Sequence, residues 1–162
     1  MSNPANTPQP DLRDEYPQTP ARDTVVAVVR GYGAVQRLME PYFATFGITP
    51  PQFQLLTVAN RLKNDSPTQR RLARELYVSF PNVTVMLGRL EEAGLICRRT
   101  NPDDRREKFV ELTRSGLLLL RRIWKKHQRQ LDRIVIGLTA AEQVQLTGLL
   151  NKLTTSHTDE PG

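Results

Sequence analysis

Residues 66–113, SPTQRRLARELYVSFPNVTVMLGRLEEAGLICRRTNPDDRREKFVELT, decide the fold of this chain. Ser66-Pro67-Thr68 reads as a helix start, with Leu72, Ala73 and Leu76 forming a short apolar stripe and Arg70, Arg71 and Arg74 turned outward. That helix is predicted to end near Tyr77. Ser79-Phe80-Pro81 opens the next, in which Val83, Met86, Leu87 and Leu90 face inward and Gly94 closes the helix as a left-handed cap. Residues 82, 84, 85, 88, 89 and 92 are left for solvent or a ligand. After Gly94 the apolar period drops to two, so Leu95 to Arg99 and Lys108 to Leu112 read as the strands of a hairpin. The turn between them, Asn101-Pro102-Asp103-Asp104-Arg105-Arg106, is tipped with arginine. Two short helices joined by a three- to four-residue turn and followed by a basic hairpin predict a winged helix-turn-helix.

The flanks supply the rest. Val25, Val28, Val29, Tyr32, Val35, Met39, Phe43 and Phe46 recur at helical spacing and predict an amphipathic helix over residues 22–47, with Pro41 as a candidate bend and Gly47 as its stop. Thr49-Pro50-Pro51 starts a second helix to about residue 63, lined by Phe53, Leu55, Leu56, Ala59 and Leu62. Beyond the hairpin, Thr113 caps a long helix to about Ile136, and Thr139 with Glu142 forms a capping box before a last helix to Leu153. Residues 1–20 carry five prolines among Asn, Thr and Gln and are expected to be a disordered tail, and residues 156–162 to fray. The fold class is therefore mainly α with a small β-hairpin wing. The winged helix-turn-helix region over residues 48–113 is thus flanked by helical segments at residues 22–47 and 114–155.

Composition narrows the function. Lys and Arg number 23 against 17 for Asp and Glu, a formal net charge of +6. The excess is local: net −1 over residues 1–60, net +9 over residues 61–133 and net −2 beyond. Positive charge gathered on the middle of a chain points to a polyanionic partner there. Hydrophobic residues are only 38% of the 162, lean for a self-sufficient monomer, so further burial by dimerisation is expected. One cysteine, Cys97, and two histidines, His127 and His157, make neither a disulfide nor a metal-ligand cluster, so no metal or cofactor is expected. No signal pattern or apolar run of membrane length is present, and a cytoplasmic, nucleoid-associated protein is expected.

The predicted elements divide the work of binding a duplex. A helix about 10–12 Å across fits the major groove, where its first turn can present Ser79, Asn82, Thr84 and Val85 to base edges, and Pro81 and Arg89 are further candidate DNA-binding residues on the same helix. The helix before it holds Arg70, Arg71 and Arg74 against phosphates. Arg105 or Arg106 at the hairpin tip enters the flanking minor groove, with Asp104 orienting it.

Leu72-Ala73, Val83-Thr84, Arg89-Leu90-Glu91, Gly94-Leu95-Ile96, Asp104-Arg105-Arg106, Leu112-Thr113 and Gly116 together resemble the MarR family of transcriptional regulators, over roughly Val25 to Leu153. The resemblance implies an obligate homodimer interlocked through its first, fifth and sixth helices, with residues 22–47 and 114–155 as the dimerisation helices and residues 48–113 as the DNA-binding region, two winged domains reading a pseudo-palindromic operator in double-stranded DNA, and an effector pocket between the dimerisation and DNA-binding regions. It implies a sequence-specific regulator, in such families most often a repressor relieved by a small molecule. Three departures stand out. Val85 occupies a position that frequently holds a base-reading polar residue, which suggests contact with a thymine methyl. Tyr77 stands where a glycine is common. The first helix has no cysteine, so peroxide sensing by that route is not expected.

Each residue also has a plainer reading. The arginines of the third helix can be a solvated face, Asp104 to Arg106 a charged turn, and Ser79, Thr113 and Thr139 simple caps, of which only Ser79 doubles as a candidate DNA contact. Cys97 reads as a small buried hydrophobe. His127, near Lys125, Lys126 and Arg129, is expected to disfavour its protonated form. Tyr32 and Trp124 are candidates for an effector pocket, against a packing role. A winged-helix module that docks an acidic protein remains the alternative. An enzyme is not expected, because no nucleophile-base pair or paired carboxylates stand out.

Overall fold

The structure, a computed structural model, describes residues 18–101 and 106–155. Six helices and one hairpin run in the order α1 (Pro20–Ala44), α2 (Pro50–Arg61), α3 (Gln69–Glu75), α4 (Phe80–Glu92), β1 (Ile96–Thr100), β2 (Lys108–Leu112), α5 (Arg114–Ile134) and α6 (Ala140–Thr155), with a 3-10 turn at Lys63–Asp65 after α2. Helix α1 begins at Pro20, inside the stretch expected to be a tail, because proline at a helix start forgoes no hydrogen bond. The rest of that tail to residue 17, the wing-tip residues Asp104 and Arg105, and the expected fray at 156–162 lie outside the described residues. The chain divides into two compact units, Met1–Gln36 and Arg37–Gly162. The described part of the first is the N-terminal stretch of α1, and the second holds every other element.

Local chemistry sets most boundaries. The Thr49 hydroxyl accepts the Gln52 amide while the Gln52 side chain accepts the Thr49 amide, a capping box at the head of α2. Thr68 and Thr113 cap α3 and α5 through the amides of Arg71 and Gly116. Thr139 and Glu142 cap α6 reciprocally, and the hydrogen bonds from Thr139, its backbone amide first, hold the Glu142 carboxyl below its ordinary range. Ser79 is the exception: its backbone takes the extended cap conformation, but its hydroxyl makes no capping bond. The simple cap reading is therefore corrected for this residue.

Three helices close with the same pair of backward hydrogen bonds around a left-handed residue. Ile48 and Gly47 return to Phe43 and Ala44, Leu95 and Gly94 to Leu90 and Glu91, and Val78 and Tyr77 to Ala73 and Arg74. Gly47 and Gly94 sit at φ +74° and +66°, where the absence of a Cβ removes the steric cost. Tyr77 sits at φ +52° with a full side chain, at a cost of about 1–2 kcal/mol.

The core of the second unit is built from the stripes read in the sequence. Leu55, Leu56, Leu72, Val83, Leu87, Leu90, Ile96, Val110, Leu120 and Ile123 are almost fully buried, with Met86 and Leu76 only half-buried at the margin. The hairpin pairs antiparallel with Ile96 opposite Leu112 and Arg98 opposite Val110. Beyond the expected pairs, the Val110 amide donates to the Pro67 carbonyl at 2.9 Å and Thr68 bridges Phe109, which ties the wing to the start of α3. In α1 only Met39 and Phe43 of the apolar stripe are buried, while Val25, Val29 and Tyr32 are exposed. Helix α6 buries no residue at all, although Val144, Leu149, Leu150 and Leu153 are apolar. No helix among the described residues is long and apolar enough to cross a membrane.

Candidate nucleic-acid interface

Helix α4 is held from beneath by Val83, Leu87 and Leu90, and this burial turns its other face outward. Asn82, Thr84, Val85 and Arg89 are exposed there, with Ser79 and Pro81 exposed at its start. Thr84 has its hydroxyl engaged: it donates to the Phe80 carbonyl at 2.9 Å and accepts from the Gln69 side-chain amide. The threonine therefore presents its methyl and a remaining lone pair. Val85, 55% exposed, is wholly apolar toward solvent.

The three arginines of α3 are not equivalent. Arg70 is exposed and reaches Glu107 at 3.7 Å, across to the wing. Arg71, expected to point outward, is half-buried and pairs with Asp65 at 3.1 Å. Arg74 is exposed and has no ion pair among the described residues. The α3 frame itself is fastened by Arg61 of α2, which binds Glu75 at 2.5 Å.

A cleft of about 310 Å³ joins these elements, lined by Gln69 and Arg70 of α3, Phe80 and Thr84 of α4, and Arg98 and Arg106 of the wing, among others. Arg70, Thr84 and Arg106, singled out separately in the sequence, thus share one surface. Gln69, Phe80 and Arg98 were missed. Gln69 meets Thr84 fifteen residues away, a separation no helical or strand period encodes. Phe80 stays 51% exposed although its hydrophobicity suggests burial. Arg98 sits on β1 with its guanidinium and backbone amide on the Glu91 carboxylate of α4. The hydrogen bond from the Arg98 side chain holds Glu91 below the ordinary carboxylate range and anchors the wing to the end of α4.

The remaining candidates are placed as follows. Tyr32 on α1 is 63% exposed and accepts a hydrogen bond from Gln36, and Trp124 on α5 is 44% exposed. Cys97 is partly buried opposite Glu111 on the hairpin. His127 stacks on Tyr42 and packs against Phe43 and Phe53, with centroids 4.9–5.8 Å apart. Its protonated form is disfavoured as expected, but the cause is burial in this aromatic nest. Its Nδ1 atom is buried without a hydrogen-bond partner among the described residues. No group of three metal-ligating side chains occurs among the described residues.

The family model described as MarR family matches residues 48–108, from the start of α2 into the wing. A putative transcriptional regulatory protein for the hcr operon of Thauera aromatica is 33% identical over 117 residues, 72% of this chain and 69% of that protein. This chain belongs to the MarR family of transcriptional regulators. Structural likeness runs over nearly the whole chain: a cysteine-to-serine mutant of Escherichia coli MarR complexed with operator DNA superposes with a TM-score of 0.75 at 24% identity, covering 90% of this chain and 99% of that one. Bordetella bronchiseptica BpsR, whose DNA binding is regulated by 6-hydroxynicotinic acid, superposes with a TM-score of 0.73 at 21% identity, covering 82% and 98%. These two likenesses establish the winged-helix fold of the family. MarR proteins regulate transcription and are not enzymes.

Proposed function

We propose that this MarR-family chain is a repressor that binds a pseudo-palindromic operator as a homodimer, at chromosomal DNA, and releases it when a small-molecule effector binds. The observation that carries the reading is the shared cleft: α3, α4 and the wing each contribute to one surface, which supports phosphate, base-edge and minor-groove contacts within a single docking geometry. In it Ser79, Pro81, Asn82, Thr84, Val85 and Arg89 face the major groove, Val85 toward a thymine methyl. Arg70, Arg71 and Arg74 serve the phosphates, and the wing, with Asp104, Arg105 and Arg106, serves the minor groove.

A second copy of the chain supplies what α6 and the start of α1 lack. Val144, Leu149, Leu150 and Leu153 on α6 and Val25, Val29 and Tyr32 on α1 are apolar surfaces whose burial is worth on the order of 1 kcal/mol or more per side chain. Two recognition helices in a dimer read half-sites about 34 Å apart, one turn of duplex. An effector that binds more tightly to a form with a different spacing draws the dimer off the operator. MarR and BpsR, with operator DNA and with a regulating acid respectively, are the precedents for both halves of this reading.

The test is selection from a random duplex library at two salt concentrations, together with the mass of the protein in solution. An inverted repeat that survives high salt, bound by a dimer, is the expected result. Binding that disappears with salt and enriches no sequence overturns the proposal.

A further inference from the structure

Of the three α-helix ends closed by a left-handed residue among the described residues, two use glycine and the third uses Tyr77, while Ser66, the other non-glycine residue at positive φ, closes the 3-10 turn. The fold derives no visible return from that tyrosine. Its side chain is 72% exposed, it makes no hydrogen bond among the described residues, and it packs in none of the aromatic contacts around Tyr42, Phe43 and Phe53. Backbone strain of this kind clusters at functional sites, so an outlier whose side chain is idle in the free protein points to a role for that side chain in a bound state.

Its position names the bound state. Tyr77 lies in the turn between α3 and α4, three residues after the exposed Arg74, which has no ion pair among the described residues, and two before Ser79, whose hydroxyl makes no capping bond. Both neighbours are elements of the DNA-facing surface proposed above, on which this inference rests. A phenol there has one polar atom to offer, an O–H donor at the end of a rigid ring, and the acceptor it meets on a duplex is a backbone phosphate oxygen. We infer that Tyr77 is a DNA-contacting residue of this chain, its hydroxyl hydrogen-bonded to a phosphodiester beside the recognition helix, and that this contact maintains a non-glycine residue at the turn.

The experiment uses the full-length dimer and the duplex obtained from the library selection, and compares Tyr77→Phe and Tyr77→Gly with the parent. Tyr77→Phe removes only the hydroxyl from each of two half-sites, and operator affinity should fall about tenfold with Tm unchanged. The slope of binding against salt should stay the same, because no cation is lost. Tyr77→Gly relieves the left-handed strain, and should raise Tm by roughly 2 °C while weakening binding at least as much. Loss of affinity in Tyr77→Phe with Tm unchanged is the readout that a merely structural role would not move. Unchanged operator affinity in both variants, with the parent bound normally, overturns the Tyr77 assignment and leaves the repressor reading intact. A shift of either variant from dimer to monomer mass also overturns it, since Tyr77 would then pack against the second copy. Failure of the parent to select any duplex overturns both.

Discussion

Gly116→Ala sets two physical effects against each other, and the structure decides the winner. Gly116 lies in the first turn of α5, where alanine by intrinsic propensity would stabilise the helix by about 1 kcal/mol. A Cβ at this position, however, would stand 2.1 Å from the Leu95 carbonyl oxygen and 3.1 Å from the Leu95 carbonyl carbon, both backbone atoms. Relief requires α5 and Leu95 to separate by nearly an ångström. That movement stretches the Thr113 amide bond to the Leu95 carbonyl, now 3.1 Å, and the Thr113 hydroxyl bond to the Gly94 carbonyl, now 2.7 Å. Losing both costs about 2 kcal/mol, and overpacking adds about 1–3 kcal/mol. After the propensity gain, the net expectation is a loss of about 2–4 kcal/mol. Urea unfolding followed by circular dichroism, at one fixed protein concentration, measures it. Gly88→Ala is the control, since nothing lies within 4 Å of its would-be Cβ in the middle of α4, and it should stabilise by about 0.5–1 kcal/mol. A Gly116→Ala midpoint equal to or above that of the parent would refute the close approach of α5 to the end of the recognition helix.

Three further outcomes follow from the same structure. His127 is held neutral by burial below its ordinary value of 6.5, so between that value and its lower folded value the unfolded chain binds the extra proton; stability should fall as pH is lowered through this window, and His127→Phe should flatten the dependence in pH-resolved thermal melts. Glu91→Gln should cost about 1 kcal/mol at pH 7 for a partly exposed pair, and because the Glu91 carboxyl is held below 4.5 its contribution is present above that pH and lost below it, so the gap between variant and parent in urea midpoint should close in acid. Arg74→Ala should weaken operator binding at every sequence and lower the salt slope by about 2 per dimer, whereas a variant that changes base preference instead would contradict a phosphate role.

Much of this architecture was legible before the structure. The caps Thr113 and Thr139 with Glu142, the left-handed stops Gly47 and Gly94, and the stripes of α2, α3 and α4 are written in neighbouring residues, because capping, backbone conformation and helical period act within a few positions. The order of those elements, two short helices and then a hairpin with basic residues, was sufficient for the winged helix-turn-helix and for the family. The same locality explains the misses. Ser79 has the right residue type for a capping bond and does not make one, and the start of α1 at Pro20 lay hidden in proline-rich sequence.

Tertiary structure decided everything that depends on residues far apart in the chain. It sorted Arg70, Arg71 and Arg74 by partner, binding two of them to Glu107 and Asp65 and leaving Arg74 without an ion pair among the described residues. It brought the Gln69 side chain of α3 onto the Thr84 hydroxyl, and set Gly116 against Leu95, where no side chain fits. It also showed that Tyr77 takes a glycine's backbone conformation, which residue type alone argues against. Charge, period and caps belong to a chain segment and can be read from it; pairing, close approach and strain exist only once distant segments compete for the same space.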